Sequence, residues 1–398
     1  MTRRRPGRSL LIAAARSLVG SEPGPWSVPD ADPATVLSVA DDHAVTPALH
    51  GWLGSGGVDV PEPLRRVVAE AAGDIARSNL LRAGELVALS SALEEVGVPL
   101  IALKGPVLAQ QGYGSLALRQ FLDLDLLVRW DDLARVYDVL LPRGYTLEEP
   151  VEHLVDAARE GGRPRPIALA MRRADGRVAL DLHTVLSHRL GFTLDVEGLW
   201  ERRVSVGLGG RMVSAPSPLD LLHYLCVHGT QHGWARLGWV VDVAQMIRRH
   251  PDADWTQLLQ RATRLGSSRM VRLGATLAAD MLGVSLPDAL QRSAREDRAV
   301  PGLSRWIQRR MFEEEMGPLT WTVERYAVQL RAWDRAVDRV RHLANVAVGV
   351  TVQDYAAVAL PRSAFGFYPL IRPWRLGRAL LRVSLRRPEE THGESRRQ

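Results

Sequence analysis

Apolar residues change their spacing along this chain, and the changes predict its elements. Through residues 64–96 they recur at helical intervals, at Val67, Val68, Ala71, Ile75, Leu80, Leu81, Leu86, Leu89 and Leu93, which predicts one long helix. Shorter helical pieces are expected at 10–19 and 34–53, on either side of a linker rich in Pro and Gly at 21–33. At 99–103 the helical period gives way to a short buried strand, and Lys104-Gly105-Pro106 turns it into an amphipathic helix ending near Tyr113-Gly114. Residues 121–128, FLDLDLLV, have a period of two. Asp123 and Asp125 then fall on one face of a strand, and Leu122, Leu124 and Leu126 on the other. A helix at 131–141, capped by Asp131 or Asp132 and stopped by Pro142 and Gly144, leads to an extended segment from Tyr145. Asp175-Gly176 between apolar runs at 167–173 and 178–183 predicts a hairpin whose second strand sends Asp181 and His183 to one face. From Ser217 the pattern is helical again, at 218–228, 234–249, 254–265, 270–282 and 301–315, with one long helix at 321–348. A basic helix is expected at 376–385, and a disordered polar tail beyond Pro388.

These readings give an α+β chain in four parts: a helical cap (1–97), a core with a small mixed sheet (98–215), a helical domain (216–350) and a basic C-terminal segment (351–398). A length of 398 residues fits two or three domains at roughly 150 residues each, and 46% hydrophobic content is ample for their cores. The single cysteine, Cys226, lies in an apolar run, which excludes a disulfide framework and points to a reducing, cytoplasmic setting. Arg3-Arg4-Arg5 ahead of an apolar stretch imitates a signal peptide, but Arg16 interrupts that stretch and no small-residue cleavage site follows. No run approaches about 18 uninterrupted apolar residues, so no membrane span is expected.

The net charge of +6 changes the picture less than its distribution does. Arginine is spread over every predicted helix and is densest at the termini, which favours solvated helix faces over a nucleic-acid stripe. Of 51 basic residues one is lysine, and it is Lys104. A compact point charge on a flexible stem thus stands beside the acidic strand.

Two carboxylates about 7 Å apart on one strand face repel unless a cation lies between them. A divalent metal answers that need, and Asp181 on a neighbouring strand offers a third carboxylate, with Asp195 in reserve. A competing constellation is His228 and His232, whose i, i+4 spacing suits zinc, with His223, His183 or Asp242 as a third ligand. It lacks the glutamate of a zinc protease, and Gly229 and Gly233 argue that the helix ends there. Trp234 and Trp239 line a site or pack the core.

The order Leu103-Lys104-Gly105, helix, Tyr113, Arg119, Asp123-Leu124-Asp125, helix, Gly144-Tyr145, then Leu180-Asp181-Leu182-His183 resembles a bacterial family of uncharacterised nucleotidyltransferases. The helical stretch containing His223 to His228 is similar to that family too. Their fold is polymerase-β-like, and distant relatives include the toxin nucleotidyltransferases of abortive-infection systems. The resemblance implies that Asp123, Asp125 and Asp181 bind Mg²⁺ (or Mn²⁺) and carry catalysis, with Asp181 helping to activate the attacking hydroxyl. It implies that Lys104, Gly105, Arg119 and Ser115 meet the phosphates of a nucleoside triphosphate, the donor substrate. Better-studied members carry Gly-Ser at the turn, whereas here Gly105-Pro106 lies seventeen residues before Asp123, so Gly105 and Gly114-Ser115 compete for the phosphate. His183, His228 and His232 are expected near the pocket. Related folds modify antibiotics, RNA 3′ ends and protein hydroxyls, which leaves a small molecule, an RNA end or a protein hydroxyl as acceptor. The alternatives are a zinc-binding hydrolase built on His228 and His232, and a catalytically inactive module that binds RNA or a protein partner.

Overall fold

The structure is a computed structural model and describes residues 6–28, 31–55, 58–162, 168–186, 194–313 and 318–385. The chain opens with helices α1 (Arg8–Leu18), α2 (Pro33–Asp42), α3 (Thr46–Leu53) and the 34-residue α4 (Glu62–Glu95). α2 starts where it does because the Asp32 carboxylate accepts from the N–H groups of Ala34 and Thr35, while Pro33 presets the first helical position. The sheet region then runs β1 (Ile101–Ala102), α5 (Gly105–Leu108), β2 (Asp123–Leu127), α6 (Leu133–Leu140), β3 (Tyr145–Leu147), α7 (Glu152–Arg159), β4 (Ala168–Arg173), β5 (Ala179–His183), α8 (Val196–Glu201), β6 (Val204–Leu208) and β7 (Arg211–Ala215). Helices complete the described chain: α9 (Pro218–Gln231), α10 (Leu237–Arg249), α11 (Trp255–Leu265), α12 (Ser268–Leu282), α13 (Asp288–Glu296), α14 (Val300–Arg310), α15 (Pro318–Ala332), α16 (Ala336–Val348), α17 (Val352–Ala357) and α18 (Tyr368–Leu385).

The fold is α+β with a small mixed sheet. Its strand order among the described residues is β1-β2-β5-β4-β3, with β2 and β5 parallel and the other pairs antiparallel. β4 and β5 form the hairpin that Asp175-Gly176 predicts, and Gly176 takes the left-handed conformation. β6 and β7 form a separate hairpin across Gly209-Gly210, which the helical and alternating patterns above do not include.

Two apolar cores result. One gathers α1, α2 and α3 with α9, α10, α11 and α12, and the other packs α6, α7, β6 and β7 around the sheet. α4 belongs to both, through Leu64 and Val68 at its start and Leu86, Leu89 and Leu93 near its end. The N-terminal helices therefore share the core of the helical half, and α4 rigidly spans the two.

Several expectations change. Residues 105–113 are buried on most sides rather than amphipathic: α5 runs into a π-helical turn at Ala109–Tyr113, stopped by left-handed Gly114. Leu122 lies just outside β2 and is 60% exposed, so it is not part of the strand's apolar face. The helix expected at 321–348 breaks between α15 and α16, because Asp334 leaves helical register to accept from the N–H groups of Ser268 and Arg269 at the start of α12, at 2.9 and 2.7 Å. Asp131 and Asp132 complete a 3₁₀ turn that begins at Trp130, and neither side chain caps α6. The basic C-terminal helix starts earlier, at Tyr368, and Tyr355 and Tyr368 are buried in the sheet core. The expected tail beyond Pro388 lies outside the described residues.

Gly229 does not end its helix. α9 continues to Gln231, and Gly229 faces the ring of Trp234, which is wholly buried and has φ +55°. A Cβ at Gly229 would stand 2.8 Å from that ring. Gly229→Ala is therefore expected to destabilise the protein by about 1–3 kcal/mol, by overpacking, as read by denaturant unfolding.

Candidate functional site

β2 lies between β1 and β5, and its register decides which side chains meet. Asp125 pairs with Asp181 across the parallel strands, and Asp123 with Ala179. Asp125 is 5% exposed. Its Oδ1 lies 3.2 Å from Lys104 Nζ and 3.1 Å from His183 Nε2, so one oxygen carries both contacts. Lys104 reaches it because β1 ends at Ala102 and Leu103 N–H still donates to the Asp125 carbonyl, at 2.9 Å, before the chain turns. Gly105 sits at that turn with φ +55°, against the Asp123 carbonyl.

The electrostatics follow from burial and crowding. Burial opposes charge on Lys104, but Asp125, then Tyr224 and Asp123, outweigh it and raise the ammonium above its usual range. Burial likewise opposes ionisation of Asp125, and Lys104, followed by His183, reverses this and holds the carboxyl well below the usual range. Asp123 and Asp181 are left with the opposite balance. Each is pushed up, by burial first and by the Asp125 charge second.

One ligand atom each from Asp125, Asp181 and His183 lies within 4.8 Å of the others, which makes these three a possible metal-binding group among the described residues. Two carboxylates and one imidazole suit a divalent ion, and the raised affinity of Asp181 for a proton marks negative charge that a cation would relieve. The carboxylates are donors that Mg²⁺ or Mn²⁺ takes, and the imidazole is one that softer divalent ions take more readily than Mg²⁺ does. Asp123 is not in this group, and His183, expected near the pocket or as a third ligand beside His228 and His232, is.

In front of the acids opens a cavity of about 660 Å³, lined by Lys104, Gly105, Asp123 and Asp125 on the sheet side and by His228, His232 and Trp239 on the helical side. Gly105 is in its wall. Gly114 instead packs on the Arg249 side chain, and the Ser115 hydroxyl accepts from Ala117 N–H to cap a 3₁₀ turn. Arg119 also faces the cavity, but Asp242 of α10 holds it, with Nε to Oδ1 at 2.8 Å and Nη2 to Oδ2 at 3.0 Å. Tyr113 donates to the same carboxylate at 2.6 Å. From behind, Asn79 of α4 donates to the Leu116 and Arg119 carbonyls, both at 2.7 Å, and fixes the loop. The remaining guanidinium nitrogen, Nη1, is buried without a protein acceptor.

The histidines of α9 stand across the cavity. The rings of His228 and His232 are 4.5 Å apart, and Trp239 is 5.5 Å from the first. Burial, then Lys104, pushes His228 well below the usual histidine range, so it is neutral at pH 7. Neither histidine joins the three-donor group. Asp195, the reserve acid, caps α8 and pairs with Arg202 at 3.0 Å. Cys226 is buried, and burial raises its thiol out of the reactive range.

A family model described as uncharacterised nucleotidyltransferase matches residues 29–283. The chain belongs to this family. The match spans α2 to the end of α12, so the acids, the cavity and its helical wall all lie within the nucleotidyltransferase region. A crystal structure of an antigenic nucleotidyltransferase-like protein from Paracoccidioides brasiliensis is similar over 52% of this chain and 93% of that one, with 15% identity and a TM-score of 0.28. No curated protein matches the chain.

The Arg119–Asp242 pair was out of reach of sequence reasoning because 123 residues separate its partners. It joins the loop before β2 to the helical half. Asp242→Asn removes the charge opposite a buried guanidinium and is expected to cost about 3–5 kcal/mol in denaturant unfolding. Arg119→Met in the same chain should recover part of that loss, because it removes the stranded charge.

Proposed function

We propose that this nucleotidyltransferase moves a nucleoside monophosphate from a nucleoside triphosphate to a hydroxyl acceptor, with Asp123, Asp125 and Asp181 as its catalytic and metal-binding acids. The observation that carries the reading is the register of β2 on β5, which sets Asp125, a residue of the cavity wall beside Lys104, opposite Asp181. In the reaction a bond forms between the acceptor oxygen and the α-phosphorus. The bond from that phosphorus to the oxygen bridging the β-phosphate breaks, and pyrophosphate leaves.

Asp125, Asp181 and His183 would hold Mg²⁺ or Mn²⁺, with Asp123 contributing from the same strand face as Asp125. The ion supplies Lewis-acid polarisation of the phosphate and lowers the pKa of the acceptor hydroxyl. Lys104, fixed by Asp125, presents a full positive charge to the phosphates. Gly105 lets the backbone approach them without a side chain in the way. Arg119 offers the one guanidinium edge that Asp242 leaves free, and a phosphate oxygen is the acceptor this buried donor lacks. Asp181, in register with Asp125 across the parallel strands, takes the proton of the acceptor hydroxyl on its carboxylate.

The test is pyrophosphate release from each labelled NTP with Mg²⁺, with small-molecule pools, total RNA and protein as acceptors. Asp125→Asn and Asp123→Asn should each lower the release by roughly a hundredfold or more, and full activity in either overturns that residue's assignment. A second readout is independent of turnover. Mn²⁺ should raise the Tm of the wild-type protein and leave that of Asp125→Asn unchanged, since an ion bound to the native state stabilises it by mass action.

A further inference from the structure

α16 faces the wrong way for a helix of a soluble domain. Val337, Val340, Leu343, Ala344, Ala347 and Val348, at helical spacing, are all exposed, with Val340 at 67%. The opposite side carries Asp338, His342 and Asn345, and these are buried. Polar contacts to other elements hold the helix in this orientation: the Gln329 side chain of α15 bonds the His342 ring at 2.8 Å, and Arg335, just ahead of α16, donates to the Thr263 and Arg264 carbonyls at 2.7 and 2.6 Å. α18 packs on α16, with Arg372 Nε donating to the Val346 carbonyl at 2.9 Å. Its own outward positions repeat the pattern through Leu370 and Trp374, and Phe367 precedes them at the same spacing. Of the fifteen exposed large apolar side chains among the described residues, nine fall between 323 and 374.

Charge identifies what such a surface fits. Residues 335–385 contain eight arginines and two carboxylates, and both carboxylates, Asp338 and Asp354, are buried. The stretch that carries the apolar strip is thus strongly basic: Arg372 and Arg375 bind the buried Asp354, Arg362 lies 3.9 Å from the exposed Glu160, and the Arg378 guanidinium lies 4.9 Å from the centre of the Trp374 ring. A second copy of the chain is a poor occupant, because pairing the strip with itself would oppose arginine to arginine.

We propose that α16 and the Phe367–Trp374 strip form a surface that lies on an anionic lipid bilayer. Valine and leucine side chains enter the boundary between headgroups and acyl chains, tryptophan takes the interfacial level, and the bordering arginines pair with lipid phosphates and carboxylates. This surface is separate from the acids of β2 and β5, and the inference does not depend on the reaction assigned to them.

Flotation of the full chain with vesicles tests it. Vesicles of phosphatidylcholine containing phosphatidylglycerol should carry the protein, pure phosphatidylcholine should not, and added salt should release it. Val340→Glu with Leu343→Glu, and Leu370→Glu with Trp374→Glu, change exposed positions and should keep the wild-type Tm while lowering vesicle binding by about tenfold or more. Equal binding to neutral vesicles, no binding to anionic ones, or double variants that bind as the wild type does would each overturn the proposal. So would a solution dimer, seen by light scattering, that these variants dissociate while vesicles fail to bind the parent chain.

Discussion

The structure turns on one crowded oxygen. Asp125 Oδ1 takes both Lys104 and His183, and parallel pairing of β2 with β5 places the Asp181 carboxylate opposite. An isolated carboxylate so buried would protonate. Here a buried ammonium compensates it, so Asp125 stays ionised, while Asp123 and Asp181 bear the repulsion that remains. The short β1 follows from this arrangement. It ends in time for Lys104 to leave the sheet, and Gly105 supplies the left-handed turn that lets the backbone pass the Asp123 carbonyl.

A second buried pair, Arg119 with Asp242, ties this centre to the helical half. The guanidinium comes from the loop before β2, the carboxylate from α10, and Tyr113 and Asn79 brace the junction from the π-helical turn and α4. Breaking such a pair strands a charge in the interior, so the cavity wall resists opening more than its area would suggest. α4 adds stiffness of another kind, because one continuous helix contributes to both cores. The cavity is therefore a seam between two packed bodies, which is where binding sites commonly lie.

What the sequence made legible was periodic. The alternation of residues 121–128 gave the strand and the shared face of Asp123 and Asp125, and Asp175-Gly176 gave the hairpin that brings in Asp181. Periodicity names a face but not what lies opposite it. Hence His183 was placed beside Asp181 while its bond to Asp125 was hidden, and the Asp242 clamp on Arg119 was beyond any local pattern. Local chemistry also misled where tertiary contacts took over. Gly229 reads as a helix stop and is instead the floor for Trp234, and the period through 321–348 reads as one helix that Asp334 breaks in order to cap another.

The lone lysine gains its reason from the same oxygen. Fifty of the 51 basic residues are arginine, and arginine holds the other buried pairs, with Asp242, Asp220, Asp297 and Asp354 each bound by a planar fork or by more than one guanidinium. A fork needs two oxygens, or room beside one. Asp125 Oδ1 already serves His183, and its carboxylate belongs to the group that closes on Asp181, so a guanidinium spread across it would cover the face that Asp125 turns to Asp181 and His183. An ammonium is a point charge that reaches one oxygen from the side of the turn and leaves that face open. Position 104 therefore asks for the cation that the rest of this chain avoids.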